Sequence, residues 1–176
     1  MPAGIVERLS RAYGRVLDLM MLAASALIFA MTMVIGADVL LRNIGAGGLP
    51  WSAEISEDVI YLVTLLAAPW LLRQGQHIRV DIVLRALPRA LAWGLEWVGD
   101  ALGFFCCLYF VWYGAGVAAE SFSTGALSIK TLITPEWWML APLPAAFALL
   151  GVEFLFRMHR LAHAARGPRD DAVSAA

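Results

Sequence analysis

Four long runs without a charged side chain divide this chain and limit what it can fold into. They cover residues 19–37, 59–72, 101–119 and 137–152. At a helical rise of about 1.5 Å per residue, the first and third runs would each span roughly 29 Å, close to the hydrocarbon thickness of a bilayer. The second and fourth runs are shorter and cross only if their polar ends lie among headgroups or against another protein. The pattern predicts an all-α integral membrane protein with four transmembrane helices.

The composition agrees with this fold class. Apolar residues occupy 61% of the 176 positions, charged residues occupy 15%, and the mean hydropathy is +0.73. A soluble domain of this size would be about half apolar and about a quarter charged. The net charge of −1 gives no basic surface for nucleic acid, so we expect membrane lipid and no nucleic acid as a partner.

Basic residues are sorted between the two sides of the predicted spans. Eleven of the thirteen lie before the first run, between the second and third runs, or after the fourth run. These are Arg8, Arg11, Arg15, Arg73, Arg79, Arg85, Arg89, Arg157, Arg160, Arg166 and Arg169. The other two, Arg42 and Lys130, follow the first and third runs. Because Lys and Arg are retained on the cytoplasmic side, the distribution predicts that both termini and the middle loop are cytoplasmic.

The segment boundaries follow from the same pattern. We predict a basic amphipathic segment over residues 1–16, a transmembrane domain over 17–158 and a tail over 159–176. The four spans within that domain are predicted at about 17–41, 53–73, 97–120 and 135–156. The first run exceeds the roughly 7 to 15 apolar residues of a signal-peptide core, so we expect it to remain as a span. A short amphipathic helix is predicted on the cytoplasmic surface over residues 78–87, ending near Pro88.

Local signals predict how two of the spans begin. Ser52 follows a Gly/Pro-rich turn and is the predicted N-cap of the second span. Thr134 is the predicted N-cap of the fourth span, with Pro135 at its first helical position. The sequence APLP at residues 141–144 should interrupt the regularity of that span.

Charged residues near the span ends allow two interpretations. Glu54, Glu57 and Asp58 lie in the first turns of the second span, where they complement the positive end of the helix dipole. Alternatively, they contact a partner or line a polar cavity, because carboxylates at the edge of the lipid are costly without one. Asp38 and Arg42 are four residues apart, a spacing more typical of a local contact within a helix than of a binding site.

Motifs for catalysis and cofactor binding are missing. The chain contains no phosphate-binding loop or nucleophile motif, and His77, His159 and His163 all fall outside the uncharged runs. A four-helix membrane electron carrier would need axial histidines inside the bundle. A pore would need a polar stripe along a span. No uncharged run has an ionisable group at its centre, so the sequence favours an accessory or scaffolding role over independent transport.

Over about residues 17–158 the sequence resembles the small permease subunit of tripartite ATP-independent periplasmic (TRAP) transporters. The most specific part is an Arg after the first span, PWSAEI at residues 50–55, an apolar span, and RQGQHIRVDIVLRALP at residues 73–88. The positions that match the family pattern are Arg42, Trp51, Glu54, Arg73, Gly75, His77, Ile78, Val80 and Asp81. The chain departs from it at Ala53, where members often carry Glu, and at Glu57, where they often carry a basic residue.

The resemblance implies a partner arrangement in the inner membrane of a bacterium. A large permease subunit would carry the substrate and sodium sites, and a soluble periplasmic protein would deliver an organic acid such as a dicarboxylate, a keto acid or a sugar acid. This chain would then be a scaffold without enzyme activity or cofactor. We predict that five residues act at the interface with the partner, through assembly or positioning. These are Arg42, Trp51, Glu54, His77 and Asp81.

Overall fold

The computed structural model describes residues 3–74 and 88–163. In this part of the chain there are five helices and one hairpin. They are α1 (Ala3–Asn43), α2 (Ser52–Arg73), α3 (Arg89–Thr124), β1 (Leu127–Ile129), β2 (Ile133–Pro135), α4 (Trp137–Leu140) and α5 (Pro142–His163). Four helical segments are long and apolar enough to cross a membrane: α1, α2, α3, and α4 together with α5. The prediction of an all-α membrane protein with four spans is confirmed.

Helix α1 is longer than the span predicted for it. It runs for 41 residues without interruption, which corresponds to about 60 Å at the α-helical rise. The basic segment over residues 1–16 and the first span are therefore one continuous helix. The position of that segment at the headgroups stays a prediction. The predicted surface helix over residues 78–87 and most of the tail over 159–176 lie outside the described residues, although α5 extends to His163.

The four spans pack side by side in the order α1, α2, α5, α3. Consecutive spans run in opposite directions, so the start of α1, the end of α2, the start of α3 and the end of α5 lie together. We call this side the termini end. The opposite side holds the α1–α2 turn and the β-hairpin, and we call it the hairpin end. Because α1 and α3 pack mainly on one neighbour each, they form the two edges of the row.

The α3–α5 contact is built on small residues. A Cβ at Gly103 would collide with the ring of Phe154, and one at Gly114 would lie 2.8 Å from Leu143. The rings of Phe110 and Phe147 stack between them, with centroids 4.6 Å apart. Close approach over small residues is how transmembrane helices gain packing energy, because lipid is as apolar as the side chains.

The edge helices expose most of their apolar surface. In the most apolar 18-residue stretch of α1, and likewise of α3, only 6% is buried within the chain, compared with 22% for the fourth span. Leu22 and Phe29 on α1 and Leu102 and Phe105 on α3 are each about two-thirds exposed. In water such surfaces would drive aggregation, whereas lipid or a membrane partner covers them without cost.

The hairpin replaces the predicted start of the fourth span. Gly125, with a φ of 64°, ends α3 in the left-handed conformation, which glycine adopts without strain. Strands β1 and β2 then pair antiparallel, with Ser128 opposite Thr134. The predicted N-cap at Thr134 and first helical position at Pro135 are therefore wrong, because both residues lie in β2. The predicted break near residues 141–144 is confirmed: α4 ends at Leu140, and α5 begins at Pro142.

Candidate functional site

At the hairpin end, the β-hairpin is attached to the first turns of α2. The carboxylate of Glu54 accepts hydrogen bonds from the backbone amides of Thr131 at 2.7 Å and Leu132 at 3.1 Å. Beside it, the Nζ atom of Lys130 lies 3.1 Å from the carboxylate of Glu57. The hydrogen bond to Glu57 and its negative charge raise the pKa of Lys130. The acids of α2 thus bind a segment of their own chain.

The same contacts shape a groove of about 550 Å³ between α2, the hairpin and α4. Its charged lining comes from Glu54, Glu57, Asp58, Lys130 and Glu136. Tyr61 and Trp138 contribute aromatic surface. The groove is therefore acidic and amphipathic, and it lies where a partner on the hairpin side could reach it.

Asp38 holds the α1–α2 turn. Its carboxylate pairs with the Nη2 atom of Arg42 at 2.9 Å, so the interpretation of this pair as a local contact is confirmed. The carboxylate also accepts hydrogen bonds from the amide of Leu49 at 2.5 Å and the hydroxyl of Ser52 at 3.1 Å. A Cβ at Gly48 would lie within 3 Å of the Arg42 and Asp38 side chains, so glycine lets the turn approach this ion pair closely.

The structure shifts the predicted helix cap by one residue. The N-cap of α2 is Trp51, which makes no side-chain capping hydrogen bond, and Ser52 is the first helical residue. Ser52 is 4% exposed, and its hydroxyl donates to Asp38. The prediction that Ser52 caps this helix is therefore wrong, because Ser52 already lies inside the first turn.

At the termini end, a buried carboxylate lies between two arginines. Glu153 of α5 is completely buried. Its Oε1 atom lies 2.7 Å from Nη2 of Arg160, and its Oε2 atom lies 3.5 Å from Nη1 of Arg73. The nearby positive charges offset the cost of burying this anion.

A second buried ion pair lies beside it. The Nε and Nη2 atoms of Arg157 are each 3.1 Å from Oδ1 of Asp100 on α3. The Nη1 atom of Arg157 also donates to the backbone carbonyl of Leu72 at 3.2 Å. One guanidinium thereby joins α5 to both α3 and α2. We refer to Arg73, Asp100, Glu153, Arg157 and Arg160 as the charge cluster.

The charge cluster extends to α1 through Arg73. Its Nη2 atom donates to the carbonyl oxygen of Ser10 at 2.9 Å and to the Ser10 hydroxyl at 3.2 Å. The guanidinium carbon also lies 5.7 Å from the ring centroid of Tyr13. Tyr13 in turn donates to the carbonyl of Leu149 on α5 at 2.7 Å. All four spans are therefore tied together at the termini end by polar contacts.

Comparison with known proteins identifies the kind of chain that carries this architecture. The family described as "Tripartite ATP-independent periplasmic transporters, DctQ component" matches residues 31–164. This chain belongs to the DctQ family. Among curated relatives, the ectoine TRAP transporter small permease protein TeaB of Halomonas elongata is 26% identical over 144 residues. That alignment covers 80% of this chain and 71% of TeaB.

Membership of the DctQ family confirms several predictions. The chain is the small permease subunit of a TRAP transporter and a multi-pass membrane protein, not an enzyme. The family places it with a large permease subunit and a periplasmic binding protein. The electron-carrier alternative is not favoured by these comparisons. Within the described residues, no group of three or more His, Cys, Asp or Glu side chains could hold a metal ion.

Three of the five predicted interface residues lie in the described part of this DctQ chain. All three lie at the hairpin end: Arg42 is joined through Asp38 to Ser52, the residue that follows Trp51, whereas Glu54 binds the hairpin. His77 and Asp81 lie outside the described residues. None of these contacts tests an interface with another subunit, so the assignment of all five stays a prediction.

Sequence reasoning missed the charge cluster. The charge distribution uses Arg73 and Arg157 as orientation signals and does not consider Glu153 or Asp100. One available signal was the spacing of Glu153, Arg157 and Arg160, which places all three on one face of a helix. The partner Asp100 lies 57 residues from Arg157 along the chain, and no local pattern joins the two.

Proposed function

We propose that this small permease subunit is a rigid scaffold for the large permease subunit during sodium-coupled uptake of an organic acid. The observation that carries the proposal is the set of hydrogen bonds and ion pairs that join the helices at each end of the spans. The charge cluster joins all four spans at the termini end, and Glu54 and Asp38 fix the hairpin and the α1–α2 turn at the other. A chain restrained in this way can hold a moving partner at a fixed depth.

The arrangement of charge favours a scaffolding role over independent transport. The buried ionisable groups of the charge cluster are all engaged with one another near one end of the spans. An organic anion needs fixed donors or positive helix ends at its site, and the three arginines of the charge cluster already pair with acids. We therefore place the substrate and sodium sites in the large subunit.

We further propose that both termini and the loop between α2 and α3 face the cytoplasm. The arginines that engage Glu153 and Asp100 lie at the termini end, and eleven of the thirteen basic residues belong to that end by their place along the chain. The hairpin end then faces the periplasm, where the binding protein delivers the substrate.

Reconstitution tests the scaffold proposal. Liposomes containing this chain alone should show no uptake under a sodium gradient, even with the binding protein present. Addition of the large subunit should give uptake, and omission of this chain should remove most of it. The substrates to compare are a dicarboxylate, a keto acid, a sugar acid and ectoine, the last because TeaB carries that name. Uptake by this chain alone, or full uptake without it, would contradict the proposal.

We propose that Arg42, Trp51, Glu54, His77 and Asp81 contribute to assembly with the large subunit. Trp51 is the most direct test, because it is half-buried and makes no side-chain cap, whereas Glu54 already binds the hairpin. Trp51→Ala should lower co-purification of the large subunit, while Phe29→Ala, at an exposed position on α1, serves as the control aromatic truncation. Undiminished assembly together with altered substrate affinity would instead indicate a direct role in binding.

A further inference from the structure

Helix α3 carries two seams of side chains on opposite faces, each with the alternating three- and four-residue spacing of a helix-packing seam. One seam, which faces α5, contains Asp100, Gly103, Cys107, Phe110 and Gly114. The other contains Val98, Leu102, Phe105, Tyr109 and Trp112, all between 62% and 86% exposed. We call this second set the α3 stripe. The occupied seam is made largely of small residues and the α3 stripe of large ones.

The middle of the α3 stripe carries polar groups that lie deep in the membrane. Tyr109 is 9 residues from Asp100 and 11 residues from Glu120, the charged residues on either side of the third uncharged run, or about 14 Å and 17 Å along the helix axis. Tyr109 therefore lies near mid-depth. Trp112 and Tyr113 follow one turn further along, still inside the hydrocarbon layer. Tyr and Trp normally concentrate at the membrane interfaces, where their polar atoms meet water.

These polar groups differ from the other hydroxyls in the spans. Ser25, Thr32 and Thr64 each donate to the backbone carbonyl four residues earlier in their own helix. The hydroxyls of Tyr109 and Tyr113 make no hydrogen bond with any group in the described part of the chain, and the two rings stack at 5.9 Å. A donor left unpaired in hydrocarbon is costly, so a lipid chain is a poor occupant of this face.

We propose that the α3 stripe docks against a transmembrane helix of the large permease subunit. This inference rests on the proposed function. That helix presents small residues to Phe105, Tyr109 and Trp112, and hydrogen-bond acceptors at mid-depth to the two tyrosines. The shape of the stripe argues against a second copy of this chain. Two faces of large side chains would hold their helices apart, whereas large side chains fit a face of small ones.

The α1 edge provides the contrast. Its exposed apolar side chains include Leu19, Leu22, Phe29 and Met33, none of which has a hydrogen-bonding group. Such a face suits lipid. The two edge helices therefore differ in chemistry although both expose large apolar residues, and only α3 requires a protein neighbour.

Photo-crosslinking in intact membranes tests the docking face. p-Benzoylphenylalanine is placed at Tyr109 or at Trp112, with Phe29 as the matched exposed aromatic control on α1. With the large subunit co-expressed, both α3 positions should give an adduct with the combined mass of the two subunits, and Phe29 should not. A homodimer adduct, lipid adducts alone at the α3 positions, or an equally strong adduct at Phe29 would overturn the proposal.

Removal of the hydroxyls tests the hydrogen bonds separately from the packing. The double variant Tyr109→Phe, Tyr113→Phe keeps both rings and should lower retention of the large subunit in detergent by about threefold to tenfold. Thr32→Val, which removes a hydroxyl already bonded to its own helix, should leave retention unchanged. Equal retention of the double variant and the unmodified chain would overturn the proposal.

The outcomes also separate this proposal from the one on which it rests. If the unmodified chain fails to co-purify with the large subunit, the proposed function is wrong. If the two co-purify but the α3 stripe gives no adduct between them, the docking face is wrong while the scaffold role stands.

Discussion

Arg157 on α5 and Asp100 on α3 form an ion pair in which only 10% and 5% of the two side chains are exposed. The guanidinium contacts Asp100 through two nitrogens and the carbonyl of Leu72 through the third. Every nitrogen of the guanidinium therefore bonds to another helix. Such a pair is expensive to break from one side, because the remaining charge stays buried without its partner.

We expect Asp100→Asn to destabilise the folded subunit by about 3 kcal/mol, because it removes the negative charge that two nitrogens of the Arg157 guanidinium contact. The measurement is the free energy of unfolding in detergent, followed by loss of helicity. Arg8→Gln, at an exposed position on α1, should change that free energy by less than about 0.5 kcal/mol. Similar values for the two variants would show that the ion pair contributes little.

Glu153 gives a second test of the charge cluster. Glu153→Gln keeps the size of the side chain but removes the negative charge between Arg73 and Arg160. We expect a loss of about 2 to 3 kcal/mol in the free energy of unfolding. Arg160→Gln should cost less, because the side chain of Arg160 is 43% exposed and water can replace part of the contact. The reverse order of the two variants would contradict this account.

The number of spans and their approximate positions could be predicted, because each run without a charged residue is a local property of the sequence. The start of the fourth span was wrong for a local reason as well. Thr134 and Pro135 form a typical helix start, yet Pro135 also fits a short strand, and pairing with Leu127 decides between the two. The pairing depends on Glu54 from α2, which binds the hairpin tip from 77 residues away.

The charge cluster also depends on contacts between residues that are distant in the sequence, so local patterns could not predict it. The basic residues at the termini end predict an orientation, because that rule counts charges without knowing their partners. The contact between Arg157 and Asp100 depends on how α3 packs against α5, which Gly103 and Gly114 set by close approach. Gly103 lies only three residues from Asp100, but a glycine in a helix does not identify which other helix packs on it.

The hairpin tip should lose protection when Glu54 is neutralised. In Glu54→Gln, only one side-chain oxygen remains as an acceptor for the amides of Thr131 and Leu132. Loss of a hydrogen bond to a charged acceptor is worth about 1.5 kcal/mol, so hydrogen exchange at one of these amides should accelerate by about tenfold. Glu57→Gln is the matched control, because Glu57 contacts the exposed side chain of Lys130 and not the two amides that Glu54 binds. Equal exchange in both variants would contradict the attachment by Glu54.

Orientation in the membrane can be tested with single cysteines chosen from the structure. Gly47 and Gly125 have positive φ angles, where a side chain would strain the backbone, so Ala46 and Ser123 are better positions at the hairpin end. Arg8 and Gln74 are exposed positions at the termini end. Cys106 and Cys107 are first replaced by Ala, which leaves no native thiol in the chain.

An impermeant maleimide added to intact spheroplasts should label Ala46→Cys and Ser123→Cys. It should label Arg8→Cys and Gln74→Cys only after the membrane is permeabilised. The physical reason is that basic residues are retained on the cytoplasmic side, and eleven of the thirteen belong to the termini end by their place along the chain. Labelling of Arg8→Cys and Gln74→Cys alone before permeabilisation would reverse the orientation but keep four spans. Labelling of Ala46→Cys together with Gln74→Cys would mean that α2 does not cross the membrane.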